Sequence, residues 1–191
     1  MKRPRVGYRT GVSQASTASR DGAKLELVDE PVKKRVESGN HPDGVGPESA
    51  PGPAVEFGEE CGGEGGVPYE VFAYRPLALT RITIWHRDYV DGIQLETASG
   101  VLPRIGGMGK HRDVRQESFE LGPGEFLTGI SVEYWKYIDR ITFHSNQRDY
   151  GPYGGTEGRV KKRLNAPSGW VVAGFKGRHW EIVDSIQLMI Y

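Results

Sequence analysis

Cysteine is almost absent from this chain. Cys61 is the only one among 191 residues, so no disulfide can form within the chain and no four-cysteine metal site can be built. Charge of one sign is lacking too, since 25 basic and 25 acidic residues cancel. That balance gives no support to nucleic acid or an anionic membrane as the main partner. No run approaches the roughly 20 apolar residues of a membrane span, so membrane insertion is not expected. Met1 to Arg20 starts basic but lacks the apolar segment of a secretory signal, and the expected location is cytoplasmic. No stretch has a convincing helical period. The five histidines, His41, His86, His111, His144 and His179, show no metal-ligand spacing, so neither a metal nor another cofactor is expected.

What is abundant is glycine, with 27 residues beside 12 prolines, a turn-rich composition suited to many short strands. Residues 1–53 differ from the rest. Ser, Gly, Pro and mixed charges dominate there, and little could enter a core, so this segment is expected to be a flexible, disordered tail. Leu25-Glu26-Leu27-Val28 is its one alternating patch, a candidate edge strand. From Ala54 to Tyr191 the texture is all-β. Ile82 and Ile84 alternate with Arg81 and Thr83; Ile130 and Val132 with Ser131 and Glu133; Ile186, Leu188 and Ile190 with Gln187 and Met189. Period two with β-branched enrichment marks half-buried strands. Turns are expected at Asp91-Gly92, Ser99-Gly100, Gly106-Gly107, Gly122-Pro123-Gly124 and Gly151-Pro152. Short strands over this length suggest a sandwich, barrel or prism.

A repeat organises this region. Leu79-Thr80-Arg81-Ile82-Thr83-Ile84, Leu127-Thr128-Gly129-Ile130-Ser131-Val132 and Val172-Ala173-Gly174-Phe175-Lys176-Gly177 each lead, twelve residues after their first position, to an aspartate: Asp91, Asp139 and Asp184. Each copy also has a glycine-rich companion, beginning at Gly62-Gly63, Gly106-Gly107 and Gly154-Gly155. The glycine clusters are spaced by 44 and 48 residues and the aspartates by 48 and 45, so both follow one period. Glycine lets backbone N–H groups approach a ligand closely. An ionised Asp accepts hydrogen bonds from two vicinal hydroxyls. Together they describe a shallow pocket for a polyol, with a sugar the natural candidate. A single glycine cluster is ordinarily a turn, and a single Asp ordinarily bonds its own backbone. Three copies in phase favour function, although duplication of a purely structural unit, or a β-trefoil, would also repeat threefold.

Enzymatic readings are weaker. His86 with Asp88, and His179 with Glu181, lie two residues apart on one strand face, but neither pair has a nucleophile at motif spacing. Asp91 and Asp139 are equivalent by repeat rather than a glycosidase pair. No catalytic residue is expected. Trp135 and Trp180 each precede their Asp by four residues, which suits a rim, whereas Trp85 and Trp170 suit sheet packing.

On these residues the chain resembles the jacalin-related lectins, of the mannose-binding type, over roughly Ala54 to Tyr191. The matching segments are Gly62-Gly63-Glu64-Gly65-Gly66, Asp88-Tyr89-Val90-Asp91-Gly92, Tyr150-Gly151-Pro152-Tyr153-Gly154, and Gly174-Phe175-Lys176-Gly177-Arg178 running to Val183-Asp184-Ser185-Ile186. The resemblance implies a β-prism I: three four-stranded Greek-key sheets in pseudo-threefold arrangement, with sugar sites at one end. It implies a principal site of Gly66 with Trp180, Glu181, Ile182 and Asp184. There the carboxylate of Asp184 accepts from sugar hydroxyls and the backbone amides of Glu181 and Ile182 donate. Trp180 departs from the family pattern, which has glycine at that place; the side chain either blocks a cavity or adds a stacking wall. A second site would use Asp88, Tyr89 and Asp91 with Gly109 and Lys110, and matches best. A third would use Lys136, Tyr137 and Asp139 with Glu157 and Gly158.

Galactose-preferring relatives are cut before the first glycine loop, whereas this chain runs on through Glu60-Cys61-Gly62. The resemblance therefore points to mannose- or glucose-containing glycans and glycoproteins as partners, bound multivalently without catalysis. Homodimers are common among similar lectins. The competing expectation is a β-prism protein-interaction module with little or no sugar binding.

Overall fold

The computed structural model describes residues 54–74, 79–107 and 113–191. The expected tail, 1–53, with its candidate strand at Leu25–Val28, lies outside the described residues, as do Gly109 and Lys110. In chain order the strands are β1 (Val55–Gly62), β2 (Val67–Phe72), β3 (Leu79–His86), β4 (Val90–Thr97), the two-residue β5 (Gly100–Val101) and β6 (Ile105–Gly106), β7 (Arg115–Glu120), β8 (Leu127–Tyr134), β9 (Ile138–Ser145), β10 (Asp149–Gly154), β11 (Val160–Asn165), β12 (Val172–His179) and β13 (Val183–Ile190).

They form three antiparallel sheets ordered β1-β13-β12-β2, β10-β9-β8-β11 and β5-β4-β3-β7, with β6 also on β4. Because β5 and β6 share one edge, each sheet has four lanes. The three sequence repeats are the three central hairpins, β3–β4, β8–β9 and β12–β13. One sheet joins the two ends of the domain: β1 pairs with β13 (Val55 opposite Ile190) and β2 with β12.

Alternation explains the core. Ile82, Ile84, Ile93 and Leu95 of one sheet, Ile130, Val132, Ile141 and Phe143 of the second, and Phe175, Ile186 and Leu188 of the third are buried in a single cluster. Phe143 meets Phe175 across the sheets, edge to face, with ring centroids 6.0 Å apart. Each such side chain contributes about 1.5–3 kcal/mol on full burial. A smaller group, Ala54, Ala173 and Met189, packs with Phe72 and Tyr191. Met189, which the alternation places with the polar set, is therefore buried.

Two expected turns are not turns. Asp91 and Gly92 lie inside β4, and Gly151-Pro152 lies inside β10 at a shift in its register with β9. The chain reverses three residues earlier than Asp91-Gly92 suggests. His86 pairs with Val90, Tyr134 with Ile138 and His179 with Val183, leaving the three-residue connections 87–89, 135–137 and 180–182. Each is closed by one backbone bond: Arg87 N–H to Tyr89 O (3.0 Å), Trp135 N–H to Tyr137 O (3.2 Å) and Trp180 N–H to Ile182 O (3.1 Å). A register shift just before each connection, at Trp85/His86, Glu133/Tyr134 and Arg178/His179, kinks the strand into its loop.

Trp170 is 45% exposed, contrary to the packing role expected of it. Its amide closes a local turn onto Pro167 O, and the ring is left outside the sheet. Among the described residues, no helix is long and apolar enough to cross a membrane.

Candidate functional site

The glycine pairs and the aspartates are built into one threefold device. Gly62, Gly106 and Gly154 have positive φ (127°, 78° and 110°), and a Cβ on each would lie only 2.2, 2.2 and 2.1 Å from the carbonyl oxygen of Asp184, Asp91 and Asp139 respectively. The next glycine donates its N–H to that same carbonyl: Gly63 to Asp184 (2.9 Å), Gly107 to Asp91 (3.0 Å), Gly155 to Asp139 (2.8 Å). That glycine also abuts a neighbouring sheet. A Cβ on Gly63, Gly107 or Gly155 would lie 2.2, 2.6 or 2.3 Å from the carbonyl oxygen of Lys136, Glu181 or Asp88. Lys136, Glu181 and Asp88 hold the same place in the three hairpin connections. The second glycine of each pair thus spends its N–H inside the protein rather than on a ligand, which corrects the expectation drawn from the glycines as a class.

All three aspartates are buried at the second residue of the returning strand. The glycine turn packs closely on Asp184: a Cβ on Gly65 would sit 2.5 Å from Oδ1, and one on Gly66 2.6 Å from Oδ2. Arg178 holds this turn, donating from Nε to Gly65 O and from its terminal nitrogen to Gly66 O, both at 2.8 Å. Asp184 Oδ2 is buried with no hydrogen-bond partner, as is Asp139 Oδ2. Burial pushes the Asp184 carboxyl up, opposed by the backbone amide of Trp180 and by the charges of His179 and Arg178. Burial also raises Asp139, opposed by the amide of Trp135 and reinforced by the Glu157 carboxylate. Glu157 occupies the place in its turn that Gly65 has in the first, so Asp139 has a second acid nearby where Asp184 has a glycine.

The three hairpin connections and the 63–66 turn enclose one open cleft of about 780 Å³. Of the expected site residues, Gly66, Trp180, Glu181, Ile182, Asp184, Tyr89, Asp91, Lys136 and Tyr137 line it. Asp88, Asp139, Glu157 and Gly158 do not. Asp88 is turned outward and pairs with Arg87 Nε at 3.1 Å. Gly158 packs on the end of β8, where a Cβ would meet Tyr134 N at 2.8 Å. The Trp180 side chain is 66% exposed and stands at the cleft edge. Four lining residues are not among the expected site residues: Gly63, Glu64 and Gly65, which the sequence gives only as part of the glycine loop, and Arg87. A fifth, Trp135, is expected from the sequence at a rim, where it could stack on a sugar ring, and it lines the cleft. Its signal was present, since it holds the place of Trp180 in the middle repeat.

His86 has a structural explanation. It is buried, accepts from the Gly154 amide at Nδ1 (3.0 Å) and bonds Glu117 Oε1 at Nε2 (3.0 Å), tying two sheets together. Elsewhere, Ser131 Oγ lies 2.7 Å from His144 Nε2, and His144 Nδ1 lies 2.6 Å from Asp149 Oδ1. This is a nucleophile–base–acid relay in outline. Ser131 sits on central strand β8, paired on both sides, so the surrounding amides are committed to ladders and offer no oxyanion site. Among the described residues, no group of three or more His, Cys, Asp or Glu side chains is arranged to hold a metal.

Comparison with known proteins places this geometry. The model of the jacalin-like lectin domain matches residues 58–189. A jacalin-related lectin of Calystegia sepium is 36% identical over 87 residues, 43% of this chain and 56% of the relative. A mannose/glucose-specific lectin of Parkia platycephala is 28% identical over 138 residues, 68% of this chain and 30% of the relative. The chain thus spans about half of one and under a third of the other. Among solved structures, a mannose-binding jacalin-related lectin of Ananas comosus superposes with a TM-score of 0.58 at 26% identity, covering 72% of this chain and 96% of its own.

Proposed function

We propose that this chain, which belongs to the jacalin-like lectin family, is a carbohydrate-binding domain for mannose- and glucose-type glycans. Its principal pocket comprises Gly65, Gly66, Trp180, Glu181, Ile182 and Asp184. One observation carries the proposal: Asp184 lines the cleft beside Gly65 and Gly66, and its Oδ2 is a buried acceptor without a hydrogen-bond partner. An unsatisfied buried acceptor costs about 1–3 kcal/mol. Vicinal sugar hydroxyls would relieve that cost, and the charge on the acceptor strengthens each bond. The amides of Glu181 and Ile182 would donate to the same sugar. Trp180, exposed at the edge, supplies a wall for the apolar face of the ring.

The relatives named mannose-binding or mannose/glucose-specific support the sugar class. Trp180 stands exposed at the cleft edge, which supports a stacking wall over a plugged pocket. Tyr89 with Asp91 forms a second candidate pocket. The third, at Asp139, carries Glu157 and is the weakest. Each site is expected to be weak alone, so avidity would come from several sites or from pairing of chains.

The test is calorimetric titration with methyl α-mannoside of the wild type and of Asp184→Ala, Asp91→Ala and Asp139→Ala. Asp184→Ala should remove the tightest binding, Asp91→Ala should lower the stoichiometry, and Asp139→Ala should change least. Heat from galactose and none from mannose would sink the specificity.

A further inference from the structure

Asp139 and Glu157 are two acids without a cation. Asp139 is 3% exposed, and its Oδ2 has no hydrogen-bond partner. Glu157 is exposed and makes no hydrogen bond or ion pair with another described residue. The turn that carries it is tied around Asp139 at both ends. Gly155 N–H donates to Asp139 O (2.8 Å), and Arg159 N–H to Tyr134 O (3.1 Å). Burial raises the Asp139 carboxyl, and the Glu157 and Glu133 carboxylates raise it further. Elsewhere in the domain exposed acids face cations: Glu56 faces Lys176 (2.8 Å), Glu59 faces Lys162 (2.7 Å) and Glu133 faces Lys161 (3.0 Å). The two arginines beside the turn are committed to other groups. Arg140 Nε donates to Gly155 O (2.5 Å), and the Arg159 guanidinium lies 4.6 Å from the Trp135 ring centroid. Asp184 is different, because the charges of His179 and Arg178 act on it and a glycine stands where the middle repeat has Glu157. Neutral hydroxyls suit Asp184. At Asp139 they would satisfy the orphan oxygen and still leave two negative charges together, whereas a cation relieves both. Calcium takes six to eight oxygen ligands, and among the described residues no group of three or more His, Cys, Asp or Glu could hold a metal. A primary ammonium brings one charge and three donors, which matches a pair of carboxylates.

We propose that Asp139 and Glu157 form a binding site for a protonated primary amine, carried by an amino sugar or by an alkyl chain. The ammonium bridges the buried Asp139 Oδ2 and the exposed Glu157 carboxylate. The middle repeat has thereby changed its ligand chemistry while keeping the backbone of the other two. The site stands apart from the neutral-sugar pocket at Asp184 and does not depend on it.

The experiment is calorimetric titration of the full chain with glucosamine, N-acetylglucosamine and butylamine, at low salt and slightly below neutral pH. It uses wild type and Asp184→Ala, the latter to remove the principal sugar pocket, and then Asp184→Ala combined with Glu157→Gln or with Asp139→Asn. In Asp184→Ala, glucosamine should bind about tenfold more tightly than N-acetylglucosamine, which has the same ring without the charge. Glu157→Gln should weaken both amines about tenfold, and Asp139→Asn should weaken them at least as much. Glu157 is exposed, so its variant serves if Asp139→Asn folds poorly. Glucosamine binding more tightly than butylamine assigns the amine to a sugar; equal affinity assigns it to an amine of any carrier, and both outcomes support the site. Equal affinity for glucosamine and N-acetylglucosamine overturns it, as does indifference to Glu157→Gln. Calcium chloride displacing glucosamine better than sodium chloride of the same ionic strength marks a metal site and also overturns it. Absence of heat with either amine overturns the amine site alone if wild type still binds methyl α-mannoside, so the two readings fail separately.

Discussion

A Cβ on Gly63 would lie 2.2 Å from the carbonyl oxygen of Lys136, in another sheet. The same relation recurs between Gly107 and Glu181 and between Gly155 and Asp88, so the three sheets lock together at the site end. Glycine here serves close packing between sheets. Gly63→Ala is therefore expected to destabilise the fold by about 1–3 kcal/mol, the usual cost of overpacking. Gly122→Ala is the control, since its Cβ would meet only Glu125 Oε2, at an ordinary 3.6 Å. Chemical denaturation of both variants checks this: similar midpoints would contradict the interlock.

Asp184 carries a burial-raised carboxyl with an unpartnered oxygen. A raised folded pKa means that the ionised form is penalised in the native state. The penalty is complete above the raised pKa and disappears as pH falls towards the ordinary value of 3.8. Asp184→Asn should thus raise the melting temperature of the sugar-free protein near neutral pH, while weakening mannose binding. The gain should shrink as the pH is lowered through the raised pKa. Thermal melts of both proteins across acid pH measure it, and a gain that grows on acidification would reverse the sign.

Glu125 is a buried carboxylate in the turn after Leu121, and its environment acts the other way. Burial alone would raise its pKa. Hydrogen bonds from Tyr150, Ser145 and the Gly122 amide, with the Arg148 charge, outweigh burial and hold it below the ordinary range. Tyr150, partly buried and bonded to this carboxylate, is pushed up to about 12. A depressed folded pKa stabilises the protein above the unfolded pKa, and that contribution is lost as pH falls through the folded one. Glu125→Gln should cost about 1–3 kcal/mol at neutral pH, with the difference narrowing in acid. Denaturation at two pH values tests it.

Arg178 reaches back from β12 to the carbonyls of Gly65 and Gly66. Arg178→Ala should loosen that turn and weaken mannose binding several-fold. Arg178→Lys should recover little, because a single ammonium cannot reproduce the fork. Titration of both variants beside their melting curves separates a positioning role from a loss of fold.

Much of this architecture was legible in the chain. Period-two alternation located the buried isoleucines of β3, β8 and β13, and the common spacing of glycine pairs and aspartates announced a threefold device. The turns were misplaced because Asp-Gly is a strong turn signal taken alone. Here Gly92 is small because the Gly107 carbonyl would lie 2.4 Å from its Cβ, inside a strand. Trp180 in place of glycine was ambiguous for a related reason: a residue type does not state which way a loop directs its side chain.

The sequence by itself determined the strands, their threefold repetition and the family, because alternation and repeat spacing are properties of the chain alone. Tertiary structure decided which loops share a cleft. Asp184, Trp135 and Tyr89 come from three repeats and meet only because three sheets close on one core. Closure also left Asp184 Oδ2 buried without a partner and gave the Asp139 pocket the neighbouring charge of Glu157. Those differences among formally equivalent pockets arise from burial and from neighbours distant in sequence, which local spacing does not encode.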